Sequence, residues 1–544
     1  MAFKGQRCRH ELSCIIIFDL LLISVTGFVL DGTRAEDLTS KQTCEDVAII
    51  GAGISGSYAA WRLRDHNLSI SVYEYSNRVG GRFRTIRFPN SPDINVELGA
   101  MRFLPAAHQL LVSTIQDLGL AAVEFKPGFG VEGKDIMYMR GQHFHSGDIK
   151  KGHIPYNLHE NERNLDLQHF RWEALLNGTD FPANGTFNDY AFLHTRTKDG
   201  LELYKQSARA AYFTMGISKE MSDLIRDVVG FRFMFGDVSS SNAVPLSNPN
   251  RIPTGPRVVQ TVKEGMEAVP HTLIDRFLQT SHSHKLHINR ELTEVIRTGA
   301  TYTLRFKETV TTNGITTYAK NFRMLEVCAK KVVLTVPRLA LSKVTFSGLS
   351  ISHDLSDSIE NAVKDVPAFK IFLAYDTPWW RTTNVTHAET DLPNRQVYDF
   401  GTSARSSTSV LAAAYGDMDI VKFWREVQSR GPFMNCLNGN DTCPSEAAVK
   451  HVTNFLAEIF QIPLESIPTP VDGAISIWDQ FPFGGGWHVW MPGYNWDDVR
   501  RDVLQPSPTD HVYFATGSYA PGETDSWSNN ALETVERVLK LLSI

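Results

Sequence analysis

The stretch Asp46 to Arg82, DVAIIGAGISGSYAAWRLRDHNLSISVYEYSNRVGGR, constrains the fold more than any other part of the chain. Val47 to Ile50 is a short apolar run rich in β-branched residues, which suits a buried parallel strand. GAGISG follows it. Gly51 permits a tight turn, Gly53 lets the backbone approach a pyrophosphate, and Gly56 lets the next helix pack closely on the strand. Ile54 and Ser55 open that helix, whose pattern continues through Tyr58 to Leu63. Its amino terminus would turn N–H groups and a positive dipole end toward the anion. A second strand, Ser69 to Tyr73, ends at Glu74, placed where a carboxylate can take the ribose hydroxyls of an adenosine. A lone GxGxxG is a weak signal; strand, glycines, helix, strand and acid in order predict dinucleotide binding. Arg78, Gly80, Gly81 and Arg82 then add an RxGGR cluster, two cations and two exposed backbone amides near the same phosphates.

With 544 residues, 42% hydrophobic and 21% charged, the chain has room for two to four lobes. The net charge of −6 and the absence of a dense Lys/Arg run argue against a nucleic-acid partner. Lys4, Arg7, Arg9 and His10 precede an apolar block, Cys14 to Leu30, and a polar stretch from Asp31. That order predicts a signal peptide within residues 1–35, hence secretion and no membrane association after cleavage. An uncleaved anchor is the alternative, although the block is short for a span of about 20 residues. Removing the signal takes Cys8 and Cys14 and leaves Cys44, Cys328, Cys436 and Cys443, an even number that fits two disulfides. The short polar loop between Cys436 and Cys443 favours that pair, and Cys44–Cys328 is what then remains. Sequons at Asn67, Asn177, Asn184, Asn384 and Asn440 are compatible with glycosylation. No metal site is expected, and the sequence leaves the oligomeric state open, a homodimer included.

Periodicity predicts helices at His108 to Leu118, Ala191 to Met215, Ser218 to Val229, Gly265 to Thr280, Asp419 to Val427, Ser445 to Phe460 and Ser528 to Leu542. Strands are expected at Leu286 to Ile288, Leu292 to Thr298, Tyr302 to Phe306, Lys331 to Val336 and Val512 to Ala515. Strands returning after a long helical excursion imply a discontinuous α/β fold with mixed sheets. We expect a Rossmann-like dinucleotide domain from residues 44–88, 250–345 and 505–544. A mixed-sheet substrate domain would come from 89–160 and 346–504, and a helical insertion from 161–249.

The run through RxGGR resembles the extended fingerprint of the flavin-dependent amine oxidase superfamily, whose cofactor is FAD. ELGAMRFLP, Glu97 to Pro105, resembles the segment that carries the carboxylate-binding arginine in L-amino-acid oxidases. Arg102 lies there between Met101 and Phe103, a costly place for a guanidinium without an anionic partner. The bland reading is a structural ion pair; the resemblance implies a bidentate clamp. It also places Gly99, Ala100, Met101, Arg102 and Leu292 at the cofactor. FKIFLAY, Phe369 to Tyr375, resembles the strand whose lysine holds a water beside the flavin, here Lys370; an edge-strand lysine reaching solvent is the structural alternative. TDLPNRQVYDF resembles the stretch whose tyrosine supports the substrate carboxylate, here Tyr398. Trp478 resembles a residue of the substrate wall. Either aromatic residue could instead simply fill a core.

YFATGSYAPGETDSWSNNALETVERVL, Tyr513 to Leu539, resembles the last flavin-binding segment, with Gly517, Ser518 and Trp527 at the cofactor and Ser526 and Trp527 at the substrate. It departs from the usual pattern twice. A glycine-glutamate pair is Gly517–Ser518, which removes a carboxylate that normally holds the ribityl chain, and the glycine before the tryptophan is Ser526. A backbone carbonyl survives any side chain, so Ser526 can still meet the substrate amine. Across about residues 44 to 540 the chain most resembles the secreted gastropod L-amino-acid oxidases, the achacin, aplysianin and escapin group. That resemblance implies oxidation of an L-amino acid by dioxygen to keto acid, ammonia and hydrogen peroxide with an antimicrobial role. The alternatives are an amine or polyamine oxidase and a silent secreted glycoprotein that retains the fold.

Overall fold

Glu45–Ile50 is hydrogen-bonded in parallel on both sides, to Ile70–Tyr73 and to the carboxyl half of Met324–Leu334. Its last four residues are buried, as an apolar run between two parallel neighbours must be. His284–His287 continues the sheet beyond Ile70–Tyr73, and Val512–Phe514 continues it beyond Met324–Leu334, giving five parallel strands. The helix Ile54–Leu63 packs on this sheet against Ala268–Thr280 and Ser528–Leu542, and the three share one apolar core. The computed structural model describes residues 44–542 other than 128–134, 164–165, 183–188, 234–235, 244–257, 384–386, 438–440 and 521–526. The predicted signal segment therefore lies outside the described residues.

An antiparallel layer grows from the same sheet, with Arg290–Thr298 paired to Thr301–Thr312 and that strand paired to the amino half of Met324–Leu334. These strands run beyond their predicted bounds, and their outward positions carry matched charges. Arg305 reaches Glu326 and Glu294, each at 2.8 Å, across the strands. The predicted helix Ala191 to Met215 is likewise two helices, Asp189–His194 and Ala208–Thr214. A Thr197–Gly200 turn separates them, with Asp199 accepting from Thr197 Oγ1 at 2.6 Å and Gly200 at φ +86°. Ser207 then caps the second helix by accepting from the Ala210 N–H.

The second large sheet has seven strands, in the spatial order Asp472–Trp478, Ala368–Tyr375, Ser409–Asp417, Gln396–Thr402, His387–Thr390, Ile136–Met139, Gln142–His145. Ala368–Tyr375 is buried along its whole length and paired on both sides, so Lys370 is not on an edge strand. Both expected disulfides are present, Cys44–Cys328 and Cys436–Cys443. Asn67 and Asn177 are exposed, whereas Asn184, Asn384 and Asn440 lie outside the described residues. Among the described residues no helix is long and apolar enough to cross a membrane, and no group of three or more His, Cys, Asp or Glu side chains could hold a metal ion.

Candidate functional site

The turn after Glu45–Ile50 is closed by the Gly51 N–H, which donates to the Tyr73 carbonyl at 2.7 Å, and Gly51 takes φ +103°. Gly56 faces back onto it. A Cβ on Gly56 would sit 1.8 Å from the Gly51 carbonyl oxygen, so glycine there is a packing requirement. Gly53 is different: a Cβ there would meet nothing within 4 Å, because its open side faces a cavity of about 1450 Å³. Gly53 is the N-cap of Ile54–Leu63 without a side-chain cap, and the first helical turn contains no acid. The unpartnered amides of that helix end are therefore left for an anionic ligand.

The cavity runs from Glu74 at the end of the second strand to Trp478 in the other sheet. Gly51, Gly53, Ile54, Ser55, Glu74, Arg78, Gly81 and Arg82 line its first end. Glu74 is oriented there by accepting from the Ala52 N–H at 2.9 Å and from the Ser76 N–H and hydroxyl. Arg78 faces the cavity but its guanidinium donates to the carbonyls of Val79, Gly81 and Phe83 and pairs with Glu267 at 3.0 Å. It braces the RxGGR turn. Arg82 donates to the carbonyls of Gly485 and Gly486, which joins that turn to the loop that follows Asp472–Trp478.

Gly99 needs its hydrogen side chain, since a Cβ would lie 1.8 Å from the Arg82 carbonyl oxygen. That close approach carries Gly99, Ala100, Met101 and Arg102 into the cavity wall, where Leu292 also lies. The Arg102 guanidinium carbon is 5.5 Å from the Phe125 ring centre and 5.7 Å from that of Tyr398. Tyr398 donates to Gln396 Oε1, and burial pushes its phenol up to about 12 despite the nearby Arg102 charge. Lys370 Nζ donates to the carbonyls of Glu97 at 3.0 Å and Gly99 at 2.6 Å. Burial depresses that ammonium to about 7, against the opposing influence of Glu97. The Glu97 carboxyl is raised by its own burial while it accepts from the Met266 N–H and Thr85 Oγ1.

At the far end Trp478 donates to the Leu98 carbonyl at 2.8 Å, and Gly517 and Trp527 complete the wall with the first turn of Ser528–Leu542. Ser518 stands behind that wall; it is buried and its hydroxyl accepts from the Arg338 N–H. Ser526 lies outside the described residues. Apart from Gly56 and Ser518, every described residue that the sequence marks for cofactor or substrate faces this one cavity.

Several cavity residues escape sequence reasoning. His108 packs against Trp527 with ring centres 4.8 Å apart and planes tilted at 46°, accepts from the Leu104 N–H, and is held neutral, down to about 4, by burial. Glu389 lines the cavity with its carboxyl pushed up to about 7 by burial, which the charge of His387 opposes. Tyr415 and Phe231 meet edge to face at 5.2 Å. Period-two alternation could have flagged Tyr415, which lies directly opposite Lys370 in the ladder. Phe231 comes from the helical excursion, and no local pattern points to it.

A parallel sheet with an anion-ready helix end, opening onto a cavity to which a second sheet supplies a lysine and the loop after Ser91–Glu97 an arginine, defines a dinucleotide-dependent oxidoreductase. The chain belongs to the flavin containing amine oxidoreductases, whose profile matches residues 54–538. It is 33% identical over 537 residues to Aplysianin-A of Aplysia kurodai, covering 96% of this chain and 95% of that one. It is 30% identical over 504 residues to Achacin of Lissachatina fulica, covering 91% and 92%. An L-amino-acid oxidase of Mus musculus is 25% identical over 391 residues, covering 69% of this chain and 54% of that one. The fold matches a putrescine oxidase structure with a TM-score of 0.63 at 18% identity, covering 92% of this chain and all of the other. The cofactor is thus a flavin. The open face of Gly53 and the uncapped helix end fit its diphosphate.

Proposed function

We propose that this chain is a secreted FAD-dependent oxidase of L-amino acids, and that Arg102 is the residue that makes the substrate an acid. The observation that supports this most directly is an arginine carried into an aromatic-walled cavity, beside Tyr398 and Phe125 and at the end of the segment that Lys370 anchors. A guanidinium there offers two parallel donors to a carboxylate. With the carboxylate docked on Arg102, the α-carbon is held between the Lys370 side and the Trp478 and Trp527 walls, and the amine enters neutral. When bound, FAD supplies the two-electron acceptor for the α-hydrogen and passes the electrons to dioxygen, giving hydrogen peroxide. Water then converts the imine to keto acid and ammonia. Lys370 keeps the Glu97–Gly99 backbone fixed while this happens.

The two disulfides fit an oxidising compartment, and peroxide released outside the cell suits a defensive role. An amine oxidase, as the putrescine oxidase fold would permit, has no use for Arg102. The deciding experiment measures peroxide from the standard L-amino acids and from the matching amines, with the wild type and Arg102→Met. Loss of amino-acid turnover in the variant supports the reading. Undiminished turnover in Arg102→Met, or a wild type that oxidises only amines, removes it.

A further inference from the structure

Residues 229–233 follow the helix Lys219–Val228, and among the described residues no strand pairs with them. Val229, Gly230, Phe231 and Phe233 nonetheless stand in the cavity wall. A segment without a ladder of its own must be held from outside. Two contacts do so, one on each side of Phe231. On one side Gly230 rests against the Gln396 side chain, where a Cβ would come within 2.4 Å of the amide carbon. On the other, the Asp417 carboxylate accepts from the Arg232 N–H at 2.8 Å through one oxygen and from the Phe233 N–H at 3.2 Å through the other.

Asp417 is wholly buried at the end of Ser409–Asp417, and its backbone is fixed by pairing with Ala368. A carboxylate is expensive to bury, and the nearby Arg395 and Arg232 charges offset only part of the cost, so its carboxyl is pushed up to about 6. The other groups that face it are Tyr415, two residues along the strand, and Asp227 and Glu389 across Arg395. Arg232 is itself paired with the exposed Asp419. What the charge adds is strength, since a hydrogen bond to an ionised acceptor is about twice as strong as a neutral one.

Held in this way, Phe231 meets Tyr415 edge to face at 5.2 Å and Trp487 at 5.4 Å. Tyr415 and Trp487 stand in paired strands, so of the three rings Phe231 is the one that a change at its tether moves. Lys370 Nζ lies 4.9 Å from the Tyr415 ring centre, which puts Phe231 one ring away from the lysine beside which the α-carbon is held. We infer that Phe231 sets the size of the substrate side chain that the cavity accepts, and that Asp417 is the positioning residue that keeps Phe231 in place. The inference rests on the amino-acid reading of the site. It deepens that reading, because a clamp for the carboxylate does not distinguish one amino acid from another.

The test uses the holoenzyme and compares kcat/KM across the standard L-amino acids ordered by side-chain volume. Phe231→Ala is expected to favour bulky side chains, raising the ratio for L-tryptophan over L-alanine by about tenfold or more. Asp417→Asn keeps the ring but weakens its tether, and is expected to move the ratio the same way by about threefold or more. Both substrates carry the same amine and carboxylate, so groups that act on those ends, Lys370 among them, cancel from the ratio. In the wild type the ratio should also rise between about pH 8 and about pH 5, as Asp417 takes up a proton and loses an acceptor; in Asp417→Asn it should stay flat. An unchanged ratio in Phe231→Ala overturns the inference. So does a fall in kcat that is equal for all substrates, which is what a purely structural role gives. A wild-type ratio that does not move with pH overturns the role of Asp417, whether or not Asp417→Asn folds. Failure of the amino-acid reading shows separately, as a wild type that turns over no L-amino acid.

Discussion

Lys370 Nζ donates to the Gly99 carbonyl across 2.6 Å, which ties an interior strand of the seven-stranded sheet to the segment that ends in Arg102. A second bond, to the Glu97 carbonyl at 3.0 Å, fixes the same segment one turn of the pleat earlier. Lys370→Met keeps the bulk of the side chain but leaves two carbonyls without a donor. Each unpartnered buried group costs about 1–3 kcal/mol, so we expect destabilisation of about 2–4 kcal/mol, read from urea unfolding. The same loosening should raise KM for L-amino acids by displacing Arg102. A variant with wild-type stability and KM would show that the lysine does not hold this segment.

Gly53 and Gly56 stand three residues apart and make opposite demands. Gly53→Ala has φ −73° and open space for its methyl, so the protein should fold with stability changed by less than about 1 kcal/mol. That methyl projects into the cavity on the side where the diphosphate would lie, and the flavin-to-protein absorbance ratio should drop. Gly56→Ala places a Cβ 1.8 Å from the Gly51 oxygen and 2.8 Å from Thr335 Oγ1, and the helix cannot stay where it is. We expect a loss of at least about 3 kcal/mol or insoluble protein. Equal behaviour of the two variants, in circular dichroism melting and in flavin content, would remove the distinction.

The parallel sheet was readable because each of its signals is local: Val47 to Ile50, the glycines and Glu74 lie within one βαβ unit whose chemistry repeats wherever a diphosphate must be held. Arg102 and Lys370 were readable only by resemblance. Nothing in AMRFLP or FKIFLAY shows that a loop and a strand bring them to one cavity, since that contact is made through the carbonyls of Glu97 and Gly99, and carbonyls leave no mark in a sequence. Tyr415, His108 and Phe231 stayed hidden for the same reason, because their partners are far away in the chain. The strands of the antiparallel layer were underestimated where cross-strand ion pairs such as Arg305–Glu326 replace apolar alternation. In each case tertiary contact decided what local pattern could not.

The two disulfides close loops of very different size, 284 residues for Cys44–Cys328 and 7 for Cys436–Cys443. Loop-closure entropy predicts that removing the first by a double Cys→Ala change costs on the order of 5 kcal/mol and removing the second about 2 kcal/mol. Cys44 lies beside the first strand, whose Glu45 already pairs with Ala329, so the native geometry should survive and the loss should come from the freer unfolded chain. Urea midpoints of the two double variants check the order. A larger loss at Cys436–Cys443 would mean that its loop, through Asp441 and its ion pair with Arg84 at the cavity, matters more than chain entropy.

His108 gives the fold an acid sensitivity with a defined window. Burial lowers its imidazole from 6.5 to about 4 in the native state, while the Leu104 N–H occupies Nδ1. Between those two values the unfolded chain binds a proton that the folded chain refuses, so stability falls as pH drops. The contribution is complete above about 6.5 and lost by about pH 4, roughly 3 kcal/mol across the window. His488, pushed down to about 3 by burial and by Arg82, acts in the same direction. His108→Gln can still accept from the Leu104 N–H through its amide oxygen but carries no titrating group. We therefore expect it to be slightly less stable than wild type at pH 7.5, for want of the ring against Trp527, and to lose less on going to pH 5. Urea midpoints of the two proteins at both pH values measure this. Parallel losses in wild type and variant would assign the acid sensitivity to His488 instead.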